Sequence, residues 1–350
     1  MIFGKKTHLI GLDIGSRGLK ASEIIETKKG YTLKNFGAAK ILPGIIDEGV
    51  IKEPEKLADA IRQLFKAFNF KEENVAISIG GYSAIVKRID VQKMTENQLQ
   101  ETIHLEAEQH IPFDIKDVFL DFQILGENQS NPNQMHVLLV AAKKEIINDY
   151  ADVVQLAGLN PCLVDVDAFA LQNSFELNYD LSEESVALID IGASKTLINV
   201  VKNGDSLFLR DVSSGCGQID QKIASAVNCS LEEAGDLKIC ENSDVISQED
   251  VGQIVLSIAN DWCLEIRRAL DFFYSTNHDE HIERIVLSGG GANIKEFREI
   301  LAEETAAAVE TINPFRKFDI DRQIDPAYLE QMAPQAAICA GLAIRSIDDK

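Results

Sequence analysis

Two short stretches of the chain carry the same reactive residue types in the same order. Residues 10–16 read Ile-Gly-Leu-Asp-Ile-Gly-Ser, and residues 187–194 read Ala-Leu-Ile-Asp-Ile-Gly-Ala-Ser. In each, an apolar run delivers an aspartate, Asp13 or Asp190, to a turn opened by a glycine, Gly15 or Gly192. Glycine lets the main chain approach an anion closely. Successive N–H groups in such a turn can cradle phosphate oxygens. Ser16 and Lys20 add a hydroxyl and an ammonium to the first copy, and Ser194, Lys195 and Thr196 extend the second. The two carboxylates cannot bind phosphate, since both partners are anions. They suit Mg²⁺ held through water, because that ion dehydrates reluctantly. Two facing turns of this kind would clamp a polyphosphate and its metal between domains.

A single Asp-x-Gly turn reads as an ordinary hairpin. The pairing makes the nucleotide reading stronger, and so does a third feature. The strand-like run Arg284–Leu287 ends in Ser288-Gly289-Gly290-Gly291-Ala292. A glycine-rich turn after a buried strand allows a base or ribose to pack on the main chain. There is no G-x-x-x-x-G-K-[ST] loop, and no G-x-G-x-x-G follows the first strand. For hydrolysis, an attacking water needs a base or polar group to orient it. Asp167 is the first candidate and Asp190 the second. Asp165-x-Asp167 also reads as the N-terminal cap of a helix. His104, Glu106 and His110 have the wrong spacing for a zinc site, and His278-Asp279-Glu280-His281 reads as a solvated loop.

These turns need strands behind them. Each Asp-Ile-Gly is followed by a second β-prone run, Leu19–Ile25 or Thr196–Val201, so each copy reads as a β-hairpin. The wide separation of the copies excludes a solenoid repeat and suits two similar domains. Pro54–Phe68 carries a helical apolar stripe. The runs at 75–79, 84–91, 119–125 and 136–142 read as strands, with a polar loop at 128–133 in the last hairpin. Thr95 with Gln98 predicts a capping box opening a helix that Pro112 ends. Residues 143–157 form the next helical pattern. Residues 84–165 thus read as a strand–helix–strand–strand–helix–strand insertion. Beyond the second hairpin, 207–212 reads as a strand and Gly215-Cys216-Gly217 as a tight turn. Helical patterns follow at 219–227, 231–238, 249–274, 297–305 and 334–345.

The chain has 350 residues, enough for two or three domains. Its formal net charge of −22 argues against a general nucleic-acid binder and against broad docking on an anionic membrane. No run approaches the length of a bilayer-spanning helix, and the short basic stretch Met1–Lys6 leads into no signal-peptide core, so a cytoplasmic protein is expected. The six cysteines form no C-x-x-C pair and read as reduced thiols, mostly small core residues.

The order of hairpin turn, second hairpin turn and Gly-Gly-Gly turn resembles the actin-like ATPase superfamily. Several segments narrow the resemblance to the PilM family of cytoplasmic type IV pilus assembly proteins. They are Lys93–Phe113, Asp121–Leu125, Val140–Lys143, Ala157–Leu159, Val164–Asp167, Leu287–Ala292 and Gly341–Arg345. The resemblance implies an α/β, two-lobed, ribonuclease H-like fold. Residues 1–83 would form the first lobe, 84–165 a small inserted α+β subdomain that serves as the partner platform, and 166–350 the second lobe. It assigns Asp13, Gly15, Ser16 and Lys20 to a first phosphate loop. Asp190, Gly192, Ser194, Lys195 and Thr196 match a second. Gly215 and Gly217 match the turn beside the nucleotide. Glu233 and Lys238 match the ribose- and adenine-flanking helix, and Gly289, Gly290 and Ala292 the adenosine loop. In that helix Gly235 replaces the Glu of the family's Glu-Ala-Glu-x-Leu-Lys pattern. The implied ligands are ATP or ADP with Mg²⁺, the metal near Asp13 and Asp190, with slow or no hydrolysis. The implied partner is the N-terminal cytoplasmic peptide of a PilN-like inner-membrane protein, held between the first subdomain and the insert. Pilus ATPases or other inner-membrane components are further partners it allows. The acidic end Ile344–Lys350 offers no amphipathic anchor, so membrane contact would come through partners. A small-metabolite kinase and a filament-forming FtsA-like protein are the alternative readings.

Overall fold

The computed structural model describes residues 8–128, 131–180, 184–240 and 244–347. The basic stretch Met1–Lys6, the middle of the polar loop at 128–133 and the last acidic residues lie outside them. Residues Ile79–Asp152 form one compact unit, and the remaining residues form another.

The larger unit holds two sheets of matching design. The first begins with a meander of β1 (Ile10–Ile14), β2 (Gly18–Thr27) and β3 (Gly30–Lys40). β1 is buried throughout and pairs antiparallel with β2, Asp13 opposite Lys20. A two-residue ribbon, β4 (Ile46–Asp47) and β5 (Val50–Ile51), leads to α1 (Pro54–Ala67). Pro54 fits the first helical turn, where its missing N–H costs nothing. Leu57, Ala58, Ile61, Leu64 and Phe65 form the buried stripe of α1. β6 (Asn74–Ile79) then pairs parallel with β1, as expected of a crossover through a helix.

The smaller unit contains β7 (Ala84–Gln92), α2 (Glu96–Glu108), β8 (Val118–Glu127), β9 (Gln134–Lys143) and the start of α3 (Lys144–Leu156). β9 lies between β7 and β8, antiparallel to both. Alternate residues Met135, Val137, Leu139 and Ala141 of β9 bury against Leu99, Ile103 and Ala107 of α2. Thr95 and Gln98 form the expected capping box. Thr95→Ala should lower the stability of this unit by about 1 kcal/mol in urea unfolding; no change would mean that the box is idle.

The chain returns to the first sheet through β10 (Asn160–Val166) beside β6, then enters α4 (Asp167–Asn178). The sequence grouped residues up to 165 with the insertion, but β10 completes the larger sheet. The second sheet repeats the plan with β11 (Ser185–Ile191), β12 (Thr196–Lys202) and β13 (Asp205–Val212). After α5 (Gly217–Val227), α6 (Leu231–Leu237) and α7 (Gln248–Thr276), β14 (Ile282–Gly289) pairs parallel with β11. α8 (Lys295–Thr305) and β15 (Ala308–Thr311) complete it. The first sheet runs β10-β6-β1-β2-β3 and the second β13-β12-β11-β14-β15. Trp262 and Phe273 of α7 are fully buried in the second core, and Trp262 donates to Gln218 of α5 at 3.1 Å.

The C-terminal segment does not stay with the second sheet, as a boundary at 166 implied. β16 (Asp319–Ile320) pairs with β3. α9 (Pro326–Met332) and α10 (Ala337–Ala343) follow. α10 packs so closely that a Cβ on Gly341 would fall 1.7 Å from the Ala170 carbonyl oxygen of α4. The expected single helix over 334–345 is a 3₁₀ turn, Ala333–Ala336, followed by α10. Of the cysteines, all free, Cys263 and Cys339 are fully buried and the other four only partly.

Candidate functional site

The two Asp-Ile-Gly turns close in the same way. The Gly15 N–H donates to the Gly18 carbonyl at 3.1 Å, and the Gly192 N–H donates to the Lys195 carbonyl at 3.0 Å. These two amides thus close their own hairpin turns. The turns meet: Ser16 Oγ lies 3.1 Å from Ser194 Oγ. The strands behind them and the start of α4 thus bring Asp13, Asp190 and Asp167 near enough for each to feel the others' charge.

Each carboxylate has a distinct environment. Asp13 is buried and accepts from Lys20 Nζ at 3.0 Å. Burial raises its pKa against the pull of Lys20, and the nearby Asp167 charge adds to the rise. Burial would lower Lys20, but Asp13 overrides it and the net shift is upward. Asp190 accepts from Ser288 Oγ at 2.7 Å. Burial lifts its carboxyl to about 6, with Ser288 opposing the rise and Asp13 reinforcing it. Asp167, the first residue of α4, accepts from Ser78 Oγ at 2.6 Å and from Lys195 Nζ at 2.6 Å. Burial works against its charge, yet Lys195 wins and its pKa falls. Lys195 is shifted upward by Asp167 and by Asp211, 4.0 Å away, against the effect of burial.

The capping reading of Asp165-x-Asp167 does not hold. Val166 occupies the N-cap and no side chain caps α4. Asp165 instead pairs with Arg345 and accepts from the Val166 N–H.

Gly215 and Gly217 are packing residues for the second turn. A Cβ on Gly215 would stand 2.6 Å from the Gly192 carbonyl, and one on Gly217 2.9 Å from that of Ala193. The Cys216 and Gly217 amides donate to those carbonyls at 2.9 and 2.8 Å. Thr196 is buried and its hydroxyl donates to the Ser214 carbonyl at 2.7 Å, so it braces the turn from behind. Gly289 has φ +80°, and a Cβ there would fall 2.4 Å from the Ile191 carbonyl oxygen. A Cβ on Gly290 would make an ordinary van der Waals contact with Cys216 Sγ at 3.8 Å. Ala292 points into the second core instead of the cleft.

Glu233 and Lys238 part company. The Glu233 carboxylate accepts from the Ser230 N–H and hydroxyl in a capping box, which lowers its pKa. Lys238 donates to Asp220 Oδ1 at 2.6 Å, and Arg17 of the first turn donates to Asp220 Oδ2 at 2.9 Å. Arg17, Asp220 and Ser78 were not picked out from the sequence. Arg17 sits inside the first turn and could have been noticed; Ser78 and Asp220 carry no local signal.

Among the described residues, no three His, Cys, Asp or Glu side chains stand close enough together to hold a metal ion. No helix there is long and apolar enough to cross a membrane.

The profile of the type IV pilus assembly protein PilM family matches residues 11–347. The chain belongs to this family. It is similar to a solved PilM–PilN type IV pilus biogenesis complex, with TM-score 0.86 and 25% identity over 98% of this chain and 100% of the other. The ethanolamine utilization protein EutJ from Carboxydothermus hydrogenoformans matches with TM-score 0.58 and 13% identity, covering 96% and 89% of the two chains. MreB5 of Spiroplasma citri bound to ADP matches with TM-score 0.51 and 12% identity, covering 97% and 95%. The fold is therefore that of the actin-like ATPases, and the chain is a type IV pilus assembly protein of that fold.

Proposed function

We propose that the protein is a nucleotide-binding scaffold of the type IV pilus machinery, taking Mg²⁺ with ATP or ADP in the cleft between its two sheets. The observation that carries this reading is the meeting of Ser16 and Ser194 at 3.1 Å, which puts both Asp-Ile-Gly turns at one place. The donor set suits a hydrated Mg²⁺. Asp13 and Asp190 offer oxygens without forming a closed protein cage, so waters would complete the shell. When bound, the metal would neutralise phosphate charge beside these carboxylates. Lys20 and Lys195 would stand on either side of the phosphates. The nucleoside side would lie toward Gly290 and Cys216, a thiol close enough to Lys238 to feel its charge.

Turnover is expected to be slow or absent. A general base works best with a pKa near the ambient pH. Asp167 is already held by Lys195 and Ser78 and is shifted downward. Asp190, at about 6, is the better proton acceptor, but its contact with Ser288 holds one oxygen.

The solved PilM–PilN relative supports a PilN-like partner, and we assign this chain the short cytoplasmic peptide of such a protein as its ligand. The protein would then work in the cytoplasm and reach the inner membrane through that partner. The family assignment favours this reading over a small-metabolite kinase. The experiment is titration calorimetry of the purified protein with a synthetic N-terminal peptide of the PilN-like protein, with and without Mg-ATP. Saturable binding of the peptide and of Mg-ATP is expected, with no rapid phosphate transfer. Absence of peptide binding under both conditions would remove the scaffold assignment.

A further inference from the structure

Asp220 is a buried carboxylate that belongs to neither Asp-Ile-Gly turn. It sits in the first turn of α5, and its two oxygens are divided between two cations. Oδ2 accepts from Arg17 at 2.9 Å, and Oδ1 accepts from Lys238 at 2.6 Å. These three residues come from separate elements. Arg17 lies in the β1–β2 turn of the first sheet. Asp220 lies on α5 and Lys238 at the end of α6, both packed on the second core. A side chain at Gly235 would begin 3.9 Å from Asp220 Oδ2, so this glycine leaves the carboxylate room on the α6 side.

The local charge balance sets this trio apart. Around Asp13, Asp167, Asp190 and Asp211 stand Lys20 and Lys195, two positive charges fewer than the carboxylates. Around Asp220 stand Arg17 and Lys238, one more. The guanidinium and ammonium are each about one-quarter exposed, while the Asp220 side chain is only 6% exposed. A desolvated carboxylate shared by two cations is costly to leave unpaired. By contrast, Lys40 and Asp236 join β3 to α6 at 3.6 Å with both side chains largely exposed, and such pairs contribute little.

We propose that Asp220 is a positioning residue and an interlobe clasp. It fixes Lys238 at the nucleotide side of the second lobe, and it takes Arg17 from the first lobe across the mouth of the cleft. This rests on the nucleotide-binding reading above. Its consequence is kinetic: the clasp must open for nucleotide to leave, so the trio sets residence time.

The test is stopped-flow release of a fluorescent ADP analogue, with Mg²⁺, from the full-length protein and from Asp220→Asn, Arg17→Ala, Arg17→Lys, Lys238→Ala and the double variant Asp220→Asn/Arg17→Ala. Asp220→Asn and Arg17→Ala should each speed release by about tenfold, with Arg17→Lys recovering part of the loss. The double variant should release no faster than Asp220→Asn alone, since both changes act through one carboxylate. Arg17 is on a turn and leaves Asp220 paired with Lys238, so Arg17→Ala reads the clasp even if Asp220→Asn does not fold. Unchanged release from Arg17→Ala, beside a wild-type protein that binds the analogue, overturns the clasp alone. A wild-type protein that binds no analogue overturns the nucleotide reading and the clasp together.

Discussion

Asp190→Asn is expected to make the free protein more stable at mildly alkaline pH while removing its stabilisation by Mg-ATP. The Asp190 carboxyl ionises at about 6 in the folded chain, against 3.8 for the free group. A raised carboxyl pKa favours folding only while the group is protonated. The contribution is complete below 3.8 and is lost as pH rises through about 6. Above that pH, holding the bare carboxylate in its buried position, with Asp13 nearby, costs on the order of 1–3 kcal/mol, because a tenfold change in an ionisation constant corresponds to about 1.4 kcal/mol. Asparagine keeps the shape and relieves that cost. It also removes the charge that would hold the metal. A ligand at a hundred times its dissociation constant stabilises the native state by about 2.7 kcal/mol, and that increment should vanish. Asp13→Ala should lose the same increment. Scanning calorimetry on either side of pH 6, with and without Mg-ATP, measures both effects. A variant that melts lower than wild type at alkaline pH, or that still responds fully to Mg-ATP, contradicts the assignment.

The largest effect on stability is expected at Gly341. Its missing Cβ would stand 1.7 Å from the Ala170 carbonyl oxygen, and on the neighbouring strand a Cβ on Gly11 would stand 1.9 Å from the Cys339 carbonyl oxygen. Both obstacles are main chain, so no rotamer change can relieve them. Gly341→Val must push α10 off α4 and β1 and should cost about 4 kcal/mol or more, a large part of a typical domain's stability. The expected readout is insoluble protein, or a urea midpoint far below wild type. Gly252→Ala is the matched control. Its Cβ meets nothing within 4 Å on α7, and it should gain up to about 1 kcal/mol. Equal behaviour of the two variants would show that close packing of α10 is not what holds the C-terminal segment.

Much of the fold was legible because its signals are local. The repeated Asp-Ile-Gly runs, the stripe of α1 and α7 and the Thr95 capping box all lie within one turn or one strand of the residues they organise. What the sequence hid is set by distant contacts. β3 was not anticipated, since Gly-Tyr-Thr-Leu-Lys-Asn-Phe-Gly-Ala-Ala-Lys is poor in β-branched residues and its strand is made by pairing with β2. α9 was missed although Asp325 caps it and Pro326 opens it, a recognisable start. In the candidate site, the residue types near the turns were legible. Their division of labour was not, because it depends on neighbours far along the chain. Thr196 turns its hydroxyl to Ser214, and Glu233 folds back on Ser230. Asp167 is bound by Ser78 and Lys195, 89 and 28 positions away.

The strands that lead into and out of the smaller unit are neighbours: the chain leaves the first sheet at the end of β6 and rejoins it in β10 at its side. The smaller unit is in that sense a removable cassette. A shorter graft joining β6 to α3 would leave the parent sheet with every strand.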